Sequence, residues 1–161
     1  MSEILTLINA EDESSLRPTE LLGQRGEAVA SQHLLQNGYR IVMTNFRVPV
    51  GRNSKGVQVT GEIDVIALDG EILCFIEVKT RRSDDFTPII TAIDRRKQRQ
   101  IARTARVYRR MFGLFEMPVR YDAVTVLMAK NAEPVVEITN GYWSDVVLRK
   151  KAWRDDSWFE H

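Results

Sequence analysis

Two mostly apolar runs, residues 61–68 and 73–79, flank an Asp-Gly pair near the middle of the chain and predict a β-hairpin. Strand alternation puts every second residue on the same face of such a hairpin. One face is wholly apolar, so we expect it to be the core face. Its residues are Ile63, Val65, Ala67, Cys74, Ile76 and Val78.

The opposite face of this hairpin is charged. Any even-length loop at the turn puts Asp64, Glu77 and Lys79 together on it. Facing residues lie roughly 5 Å apart at Cβ and diagonal ones roughly 7 to 8 Å, so one divalent cation could contact both carboxylates. Two interpretations stay open on this pattern: a salt-bridged strand end in which Lys79 pairs with Asp64 or Glu77, and a metal site.

Helical spacing is found on either side of the hairpin. Small and apolar residues recur at steps of three and four over about 19–37, and Gly38 follows as the left-handed stop. The same spacing predicts a long helix over about 92–112, with Gly113 beyond its end. Two helices and a hairpin indicate a mixture of α and β elements.

Each predicted helix carries a charged residue at its apolar stripe. Glu27 lies at the edge of the first stripe, where exposure to solvent explains it poorly, so it has either an arginine partner or a role in a site. Lys97 lies on the second stripe and must extend its amine to the surface or find an anion.

Three further strands complete the expected sheet. They cover 39–48, 119–129 and 134–139, the last at a sheet edge, and the stretch 49–60 is expected to be a polar loop. This order of elements predicts an α/β protein with a mixed sheet and helices on its faces. The order of helices and strands alone therefore indicates the fold class.

The length of 161 residues suits one domain, to which we add two flanking segments. We assign 1–18 as an acidic N-terminal arm, 19–140 as the domain, and 141–161 as an aromatic and charged C-terminal extension. The aromatic residues of the extension either cap the core or contact another subunit, and the first is the commoner case.

The formal net charge of +1 is unevenly distributed. Five acidic residues stand in 1–20 against Arg17, whereas Arg81 to Arg110 holds ten cations against three acids. Such a lopsided stretch favours a phosphate-bearing partner over an ordinary solvated face. The cations of the second helix, besides Lys97, are Arg95, Arg96, Arg99, Arg103, Arg106, Arg109 and Arg110.

Several classes of protein are disfavoured. Cys74 is the only cysteine, so no internal disulfide forms, and the two histidines are not at zinc-ligand spacing. The acidic N-terminus lacks the features of a secretion signal, and no apolar run approaches ~20 residues. We expect a cytoplasmic protein that does not enter a membrane.

An ordered series of motifs between Gly23 and Val126 resembles the YraN-like family of predicted endonucleases. That family is distantly similar to archaeal Holliday-junction resolvases, within the PD-(D/E)xK nuclease superfamily. A single Glu-x-Lys would be weak, but the whole series is specific. It comprises Gly26-Glu27 with Ala30 and Leu34, Gly38-Tyr39, Asn45 with Arg47, Gly61 to Asp64, Phe75 to Lys79 with Arg81, Ala92-Ile93 with Lys97, and Arg120 to Asp122.

The resemblance implies a restriction-endonuclease-like α/β/α sandwich and a metal-dependent endonuclease acting on DNA, including branched or repair intermediates. It implies Mg²⁺ or Mn²⁺ held by Asp64, Glu77 and the main-chain carbonyl of Val78, with Glu27 as a further ligand of the ion or of its water. Lys79 would orient or help deprotonate the attacking water. The catalytic set is thus Asp64, Glu77, Lys79 and Glu27.

The nucleic-acid contacts implied with this site are basic. They are Arg81, Lys97, Arg95, Arg96, Arg99, Arg103 and Arg47. An alternative is a non-catalytic nucleic-acid-binding protein that keeps the fold and the basic surface. The sequence does not fix the oligomeric state. The junction-cutting enzymes that the family resembles act as dimers, and the aromatic extension offers a surface that could serve a homodimer.

Overall fold

The computed structural model describes residues 16–82 and 93–148, which form one five-stranded sheet and two α-helices. In chain order the elements are helix α1 (Pro18–Gln36), strands β1 (Arg40–Arg52), β2 (Gln58–Asp69) and β3 (Ile72–Arg82), helix α2 (Arg95–Phe112), strands β4 (Val119–Met128) and β5 (Val135–Trp143), and a short 3₁₀ helix (Asp145–Leu148). The predicted α/β class is confirmed.

The sheet is mixed, as expected. Its strand order is β1-β2-β3-β4-β5. Strands β1, β2 and β3 are successively antiparallel, β3 and β4 are parallel, and β5 returns antiparallel to β4. A parallel pair needs a crossover connection, and helix α2 belongs to the one between β3 and β4.

The two helices cover opposite faces of this sheet. Ala30 and Leu34 of α1 pack with one set of strand residues, and Ile101, Ala105 and Tyr108 of α2 pack with the other. Neighbouring strand residues alternate between the two sets, which is what opposite faces require. The α1 set includes Val65, Ile76 and Val124, and the α2 set includes Ile66, Phe75 and Ala123.

This arrangement corrects the expectation that the central hairpin has one core face. The face that bears Glu77 is also buried, because α2 covers it next to Phe75. Ile63 is a second correction, since it packs in the α2 set and not with Val65. Both errors came from treating the hairpin as a regular two-stranded ribbon with one exposed side.

Both helices end where their glycines predict. Gly38 (φ 86°) follows α1 and Gly113 (φ 65°) ends α2, each in the left-handed region that favours glycine. Helix α2 begins later than the predicted start at about residue 92. Asp94 is its N-cap, with the Asp94 carboxylate accepting a hydrogen bond from the Lys97 main-chain N–H at 2.8 Å.

The predicted polar loop over 49–60 is wrong for most of its length. β1 continues to Arg52 and β2 begins at Gln58, so only 53–57 connect them. The prediction relied on Pro49 and on polar side chains, but β1 is an edge strand, where a proline is tolerated and the main-chain ladder does not depend on side-chain polarity. The last predicted strand likewise runs on to Trp143.

Two glycines allow close approach of the helices to the sheet. A Cβ on Gly26 of α1 would lie 1.7 Å from Thr80 Oγ1 of β3, and one on Gly61 of β2 would lie 2.0 Å from Thr104 Oγ1 of α2. At each point a threonine side chain of one element lies against the glycine main chain of the other. The first contact sets Glu27, the next residue of α1, near the end of β3.

A partly buried network of ion pairs around Arg120 was not foreseen from the sequence. Arg120 donates from Nε to Asp122 Oδ1 at 2.8 Å and from Nη2 to Asp69 Oδ2 at 2.8 Å and the Tyr39 hydroxyl at 3.0 Å. Asp122 is fully buried and also accepts from the Gly141 N–H at 2.9 Å. These groups tie β4 to the turn end of the β2-β3 hairpin and to β5.

Trp143 lies in the α2-side core, in agreement with the capping role expected for the C-terminal aromatics. Trp153, Trp158 and Phe159, like most of the acidic arm, fall outside the described residues. Within 16–82 and 93–148, neither helix has the length and apolar character needed to cross a membrane.

Candidate functional site

In strands β1 and β2, the alternation of side chains between the two faces of the sheet is broken at the same level, at Asn45 and Asp64. Pairing of Thr44 with Val65 and of Phe46 with Ile63 places Asn45 opposite Asp64 in register. Asn45 has φ 51°, a left-handed conformation within a strand. The regular alternation is broken here, which is why Ile63 leaves the face that it was expected to share with Val65.

Asp64 lies where β2 and β3 begin to part. The main-chain pairing of the two strands extends from the turn only as far as Val65 with Ile76. Beyond that point the Asp64 side chain takes over, since its Oδ2 accepts from the Val78 N–H at 2.8 Å. Burial, followed by the nearby Glu77 carboxylate, raises the pKa of Asp64 to about 8.

Glu77 is 2% exposed and is contacted by both lysines of the predicted site. Lys79 Nζ lies 2.9 Å and Lys97 Nζ 3.4 Å from Glu77 Oε1, and each lysine side chain is 28% exposed. Glu77 Oε2 is buried with no hydrogen-bond partner in the described part of the chain. Among the residues that the structure describes, one oxygen of this carboxylate therefore has two cationic partners and the other has none.

The two lysines answer questions that the sequence left open. Of the two salt bridges considered for Lys79, the structure contains the one with Glu77. Lys97, on the apolar stripe of α2, finds an anion in Glu77. These ion pairs are compatible with a structural cluster and with a site that gains a further ligand.

Glu27 approaches the same place from helix α1. Burial, and then the charge of Glu62, raises the pKa of Glu27, and the Glu77 charge acts in the same direction. The nearby Asn45 side chain acts in the opposite direction and lowers the pKa of Glu27. The Arg47 charge also lowers the pKa of Glu27, although the Arg47 guanidinium itself pairs with Glu62 at 3.0 Å.

The structure thus brings five charged side chains of the predicted site into one neighbourhood: Asp64, Glu77, Lys79, Lys97 and Glu27. The main chain of Val78 joins them through its N–H. Among the described residues, however, no group of three or more His, Cys, Asp or Glu side chains is disposed to hold a metal ion. A cation here would depend on two carboxylates together with main-chain and water oxygens.

The predicted nucleic-acid contacts are more dispersed. Arg95, Arg96 and Arg103 are exposed on α2. Arg99 is tied back to the protein, because its Nε donates to the Val147 carbonyl at 3.0 Å. Arg81 lies near the end of β3, partly exposed and engaged in an interaction of its own.

Sequence reasoning gave Asn45 no role of its own. The only signal for it was its place in the motif series, because its left-handed backbone and its effect on the pKa of Glu27 depend on tertiary structure. The Arg120 and Asp122 pair was likewise assigned no role. Its partners Tyr39 and Asp69 are 81 and 51 residues away in the sequence.

The fold and site define a mixed α/β protein in which two buried acids and two partly exposed lysines lie where strands β2 and β3 separate. The chain belongs to the family described as Uncharacterised protein family UPF0102, whose model matches residues 26–126. This is nearly the stretch of the motif series, so the expected family membership is confirmed. Family membership by itself assigns no reaction.

Relatives in this family cover most of the chain. A UPF0102 protein of Renibacterium salmoninarum is 40% identical over 74% of this chain and 93% of its own. One of Prosthecochloris aestuarii is 38% identical over 81% and 99%. A solved structure titled "Crystal structure of SSO0001" is similar at 18% sequence identity and a TM-score of 0.38. The match covers 82% of this chain and 56% of that protein.

Proposed function

We propose that this protein is a metal-dependent endonuclease that hydrolyses phosphodiester bonds in DNA, with branched or repair intermediates as substrates. The observation that carries the proposal is Glu77, a buried carboxylate with two lysines on one oxygen and, within residues 16–82 and 93–148, no partner on the other. Asp64 lies beside it at the point where β2 and β3 part. Acids and amines in this mixture suit hydrolysis at a phosphate better than they suit packing.

The donor set suits a divalent cation with a preference for oxygen. An unpaired buried carboxylate oxygen is costly, and the proximity of Glu77 to Asp64 adds repulsion. A cation held by Asp64, Glu77 and the carbonyl of Val78, with Glu27 contacting it through a bound water, would relieve both. Mg²⁺ and Mn²⁺ accept such a partial protein shell completed by water. When bound, the ion would supply Lewis-acid stabilisation of the phosphate and acidify a water molecule.

The lysines would then act on the substrate. With Glu77 engaged by a cation, Lys79 is free to orient the attacking water and to help remove its proton. Lys97, at the first turn of α2, would donate to the scissile or the adjacent phosphate. Both side chains are partly exposed, so their amines have access to a bound strand.

The exposed arginines of α2 would bind the DNA backbone. Contacts of this kind give affinity without sequence reading and make binding strongly salt-dependent. Arg95, Arg96 and Arg103 are the residues best placed for this, since Arg99 has a structural contact with Val147. The finer fold assignment, a restriction-endonuclease-like α/β/α sandwich, is part of this proposal and is supported by helices on both faces of a mixed sheet.

A non-catalytic nucleic-acid-binding protein is the second candidate. It is favoured by the two lysines, which already neutralise Glu77 without any cation. This candidate keeps the basic helix and predicts binding of DNA without cleavage.

Incubation with labelled DNA structures separates the two. Duplex, single-stranded, flap and four-way junction DNA would each be incubated with Mg²⁺, Mn²⁺ or a chelator, using the wild type, Asp64→Asn and the distant control Arg40→Gln. The endonuclease predicts metal-dependent cuts by the wild type and the control, none by Asp64→Asn, and DNA binding by all three. Binding without cleavage by the wild type would support the second candidate, and equal cleavage by Asp64→Asn would end the proposal.

A further inference from the structure

The hairpin formed by β1 and β2 extends beyond the rest of the sheet. Pairing of β2 with β3 begins at their turn and ends at Val65, whereas pairing of β2 with β1 continues as far as Gln58 opposite Arg52. In the described part of the chain, residues 46–63 thus form an arm whose two strands pair only with each other. Residues 51–58, at the tip of this arm, are all exposed.

Helix α2 fixes the base of the arm. Gln100 Nε2 donates a hydrogen bond to the Thr60 carbonyl at 3.1 Å. One turn later the buried Thr104 side chain lies against Gly61, where a Cβ would come within 2.0 Å of Thr104 Oγ1. These two contacts, on consecutive turns of one helix, hold the arm in a set direction relative to Asp64, which lies on the same strand.

The tip of the arm is ordered by its own hydrogen bonds. Asn53 Oδ1 accepts from the Lys55 and Val57 N–H groups at 2.9 and 3.0 Å. Arg52 Nη1 donates to the Gly56 carbonyl at 2.7 Å. A guanidinium has five N–H donors, so Arg52 keeps others for a partner outside the chain. The turn therefore presents the cations of Arg52 and Lys55 from a defined backbone.

Positive charge dominates the arm and the side of α2 next to it. Residues 40–60 contain no acidic side chain, and their cations are Arg40, Arg47, Arg52 and Lys55. On α2, the exposed Arg96 and Arg103 stand at i−4 and i+3 relative to Gln100, so they lie on the side of the helix from which Gln100 reaches the arm. The arm and this side of α2 together suit a polyanion.

A second copy of the chain is the other partner that an edge strand takes, by pairing with it. Strand β1 is poorly suited to such pairing. Pro49 has no N–H to donate, and the register shifts between Ile41 and Met43 and between Pro49 and Gly51. Asn45 and Gly51 also have positive φ, at 51° and 132°. Prolines and bulges of this kind protect an edge strand against the addition of another strand.

We propose that the arm is a second DNA-binding element, in which Arg52 and Lys55 contact backbone phosphates outside the scissile one. The identity of the partner rests on the function proposed above, whereas the geometry of the arm does not. From Asp64 to Gln58, β2 spans roughly 20 Å at about 3.3 Å per residue. Since a duplex advances ~3.4 Å per base pair, the tip reaches phosphates about six base pairs away. Contacts at that distance add affinity and do not take part in the chemical step.

Fluorescence anisotropy with duplex DNA tests the arm on metal-free protein, where no cleavage is needed. Lys55→Gln keeps the turn, because Lys55 contributes its main-chain N–H to it. It is expected to weaken binding about 3- to 10-fold at 0.1 M salt, and to make the slope of log K against log salt shallower by about 0.9. Adding Arg52→Gln is expected to repeat both changes.

The matched control is Arg40→Gln, which removes an exposed cation from the other end of β1. It is expected to keep the wild-type Kd and slope. Wild-type values for Lys55→Gln with Arg52→Gln, or the same loss in Arg40→Gln, would overturn the proposal.

Cleavage assays and sedimentation distinguish this proposal from the others. Where the wild type cuts DNA, the arm variants are expected to raise KM with wild-type kcat, and a lower kcat at unchanged KM would contradict the arm's role. A wild type that binds DNA through the arm without cutting it would remove the proposed endonuclease and keep the arm. A wild-type dimer that dissociates in Lys55→Gln with Arg52→Gln would show that a second copy occupies the arm, and would overturn the proposal.

Discussion

The two buried acids of the site differ in what they contact. Both lysines reach Glu77, whereas Asp64 accepts a hydrogen bond from the Val78 main chain. The hydrogen bond lowers the cost of ionising Asp64, but burial and the Glu77 charge outweigh it and raise the pKa to about 8. In the metal-free protein, Asp64 is therefore the acid that destabilises the fold when it is charged.

Asp64→Asn should stabilise the metal-free protein in a pH-dependent way. The folded state holds a proton on Asp64 up to about pH 8, whereas the unfolded chain releases it near 3.8, so wild-type stability falls as pH rises between these values. Asparagine does not ionise and can still accept from the Val78 N–H. At about 1.4 kcal/mol per pKa unit, even half of this shift exceeds ~2 kcal/mol.

Urea unfolding with a chelator present checks this prediction. Little difference between Asp64→Asn and the wild type is expected near pH 4, and a clear gain for the variant near pH 8. An identical loss of stability with pH in both proteins would show that Asp64 is not the group responsible.

Removal of Arg120 should be far more damaging than removal of an exposed arginine. Arg120→Ala would leave the fully buried Asp122 carboxylate without its cation, at a cost of ~3–5 kcal/mol. Arg47→Ala is the control, since the exposed pair of Arg47 with Glu62 contributes about 0–1 kcal/mol. Chemical unfolding measures both, and equal losses would contradict a structural role for the Arg120 network.

Among the elements, local sequence signals predicted where the helices end better than they predicted on which face of the sheet each strand residue lies. Gly38 and Gly113 fixed the helix ends because a left-handed residue is a local requirement. The break in side-chain alternation at Asn45 and Asp64 could not be predicted, since it depends on the pairing of β1 with β2 and on their packing against α2. The continued pairing of β1 with β2 within 49–60 was missed because main-chain pairing at a sheet edge does not require apolar side chains.

Helix α1 should be sensitive to size at one glycine and not at another. Gly26→Ala would bring a Cβ to 1.7 Å from Thr80 Oγ1 and push α1 away from β3, costing ~1–3 kcal/mol. Gly23→Ala, in the same helix with nothing within 4 Å, should instead stabilise by up to about 1 kcal/mol.

Thermal or chemical unfolding of the two single variants gives the comparison. Thr80→Ala added to Gly26→Ala is expected to recover part of the loss, because the two nearest side-chain clashes disappear. Equal behaviour of Gly26→Ala and Gly23→Ala would mean that the close approach to Thr80 does not constrain the helix.

At the scale of the whole molecule, the residues of the site were predictable, but their contacts were not. Spacing alone grouped Asp64, Glu77 and Lys79, and the stripe of α2 marked Lys97 as needing an anion. Which acid takes the lysines depends on how β2 and β3 part and on where α2 crosses them. The clustering of positive charge on α2 was equally plain, whereas the anchoring of Arg99 by Val147 required the 3₁₀ helix.

The basic face of α2 should govern DNA affinity through salt. Arg96→Gln with Arg103→Gln is expected to weaken binding and to make the slope of log K against log salt shallower by about 0.9 for each phosphate that the protein no longer neutralises. Arg40→Gln, at the turn end of the sheet opposite Leu68, should leave the slope unchanged. Fluorescence anisotropy over a salt series measures this, and equal slopes in all variants would exclude α2 from the interface.

Calorimetric titration of metal-free protein with Mn²⁺ measures whether Asp64 and Glu77 together hold a divalent cation. The proposed metal site predicts a saturable heat of binding for the wild type and for Arg40→Gln, and its loss in Asp64→Asn. No binding by the wild type at millimolar Mn²⁺, or the same heat in Asp64→Asn, would contradict it.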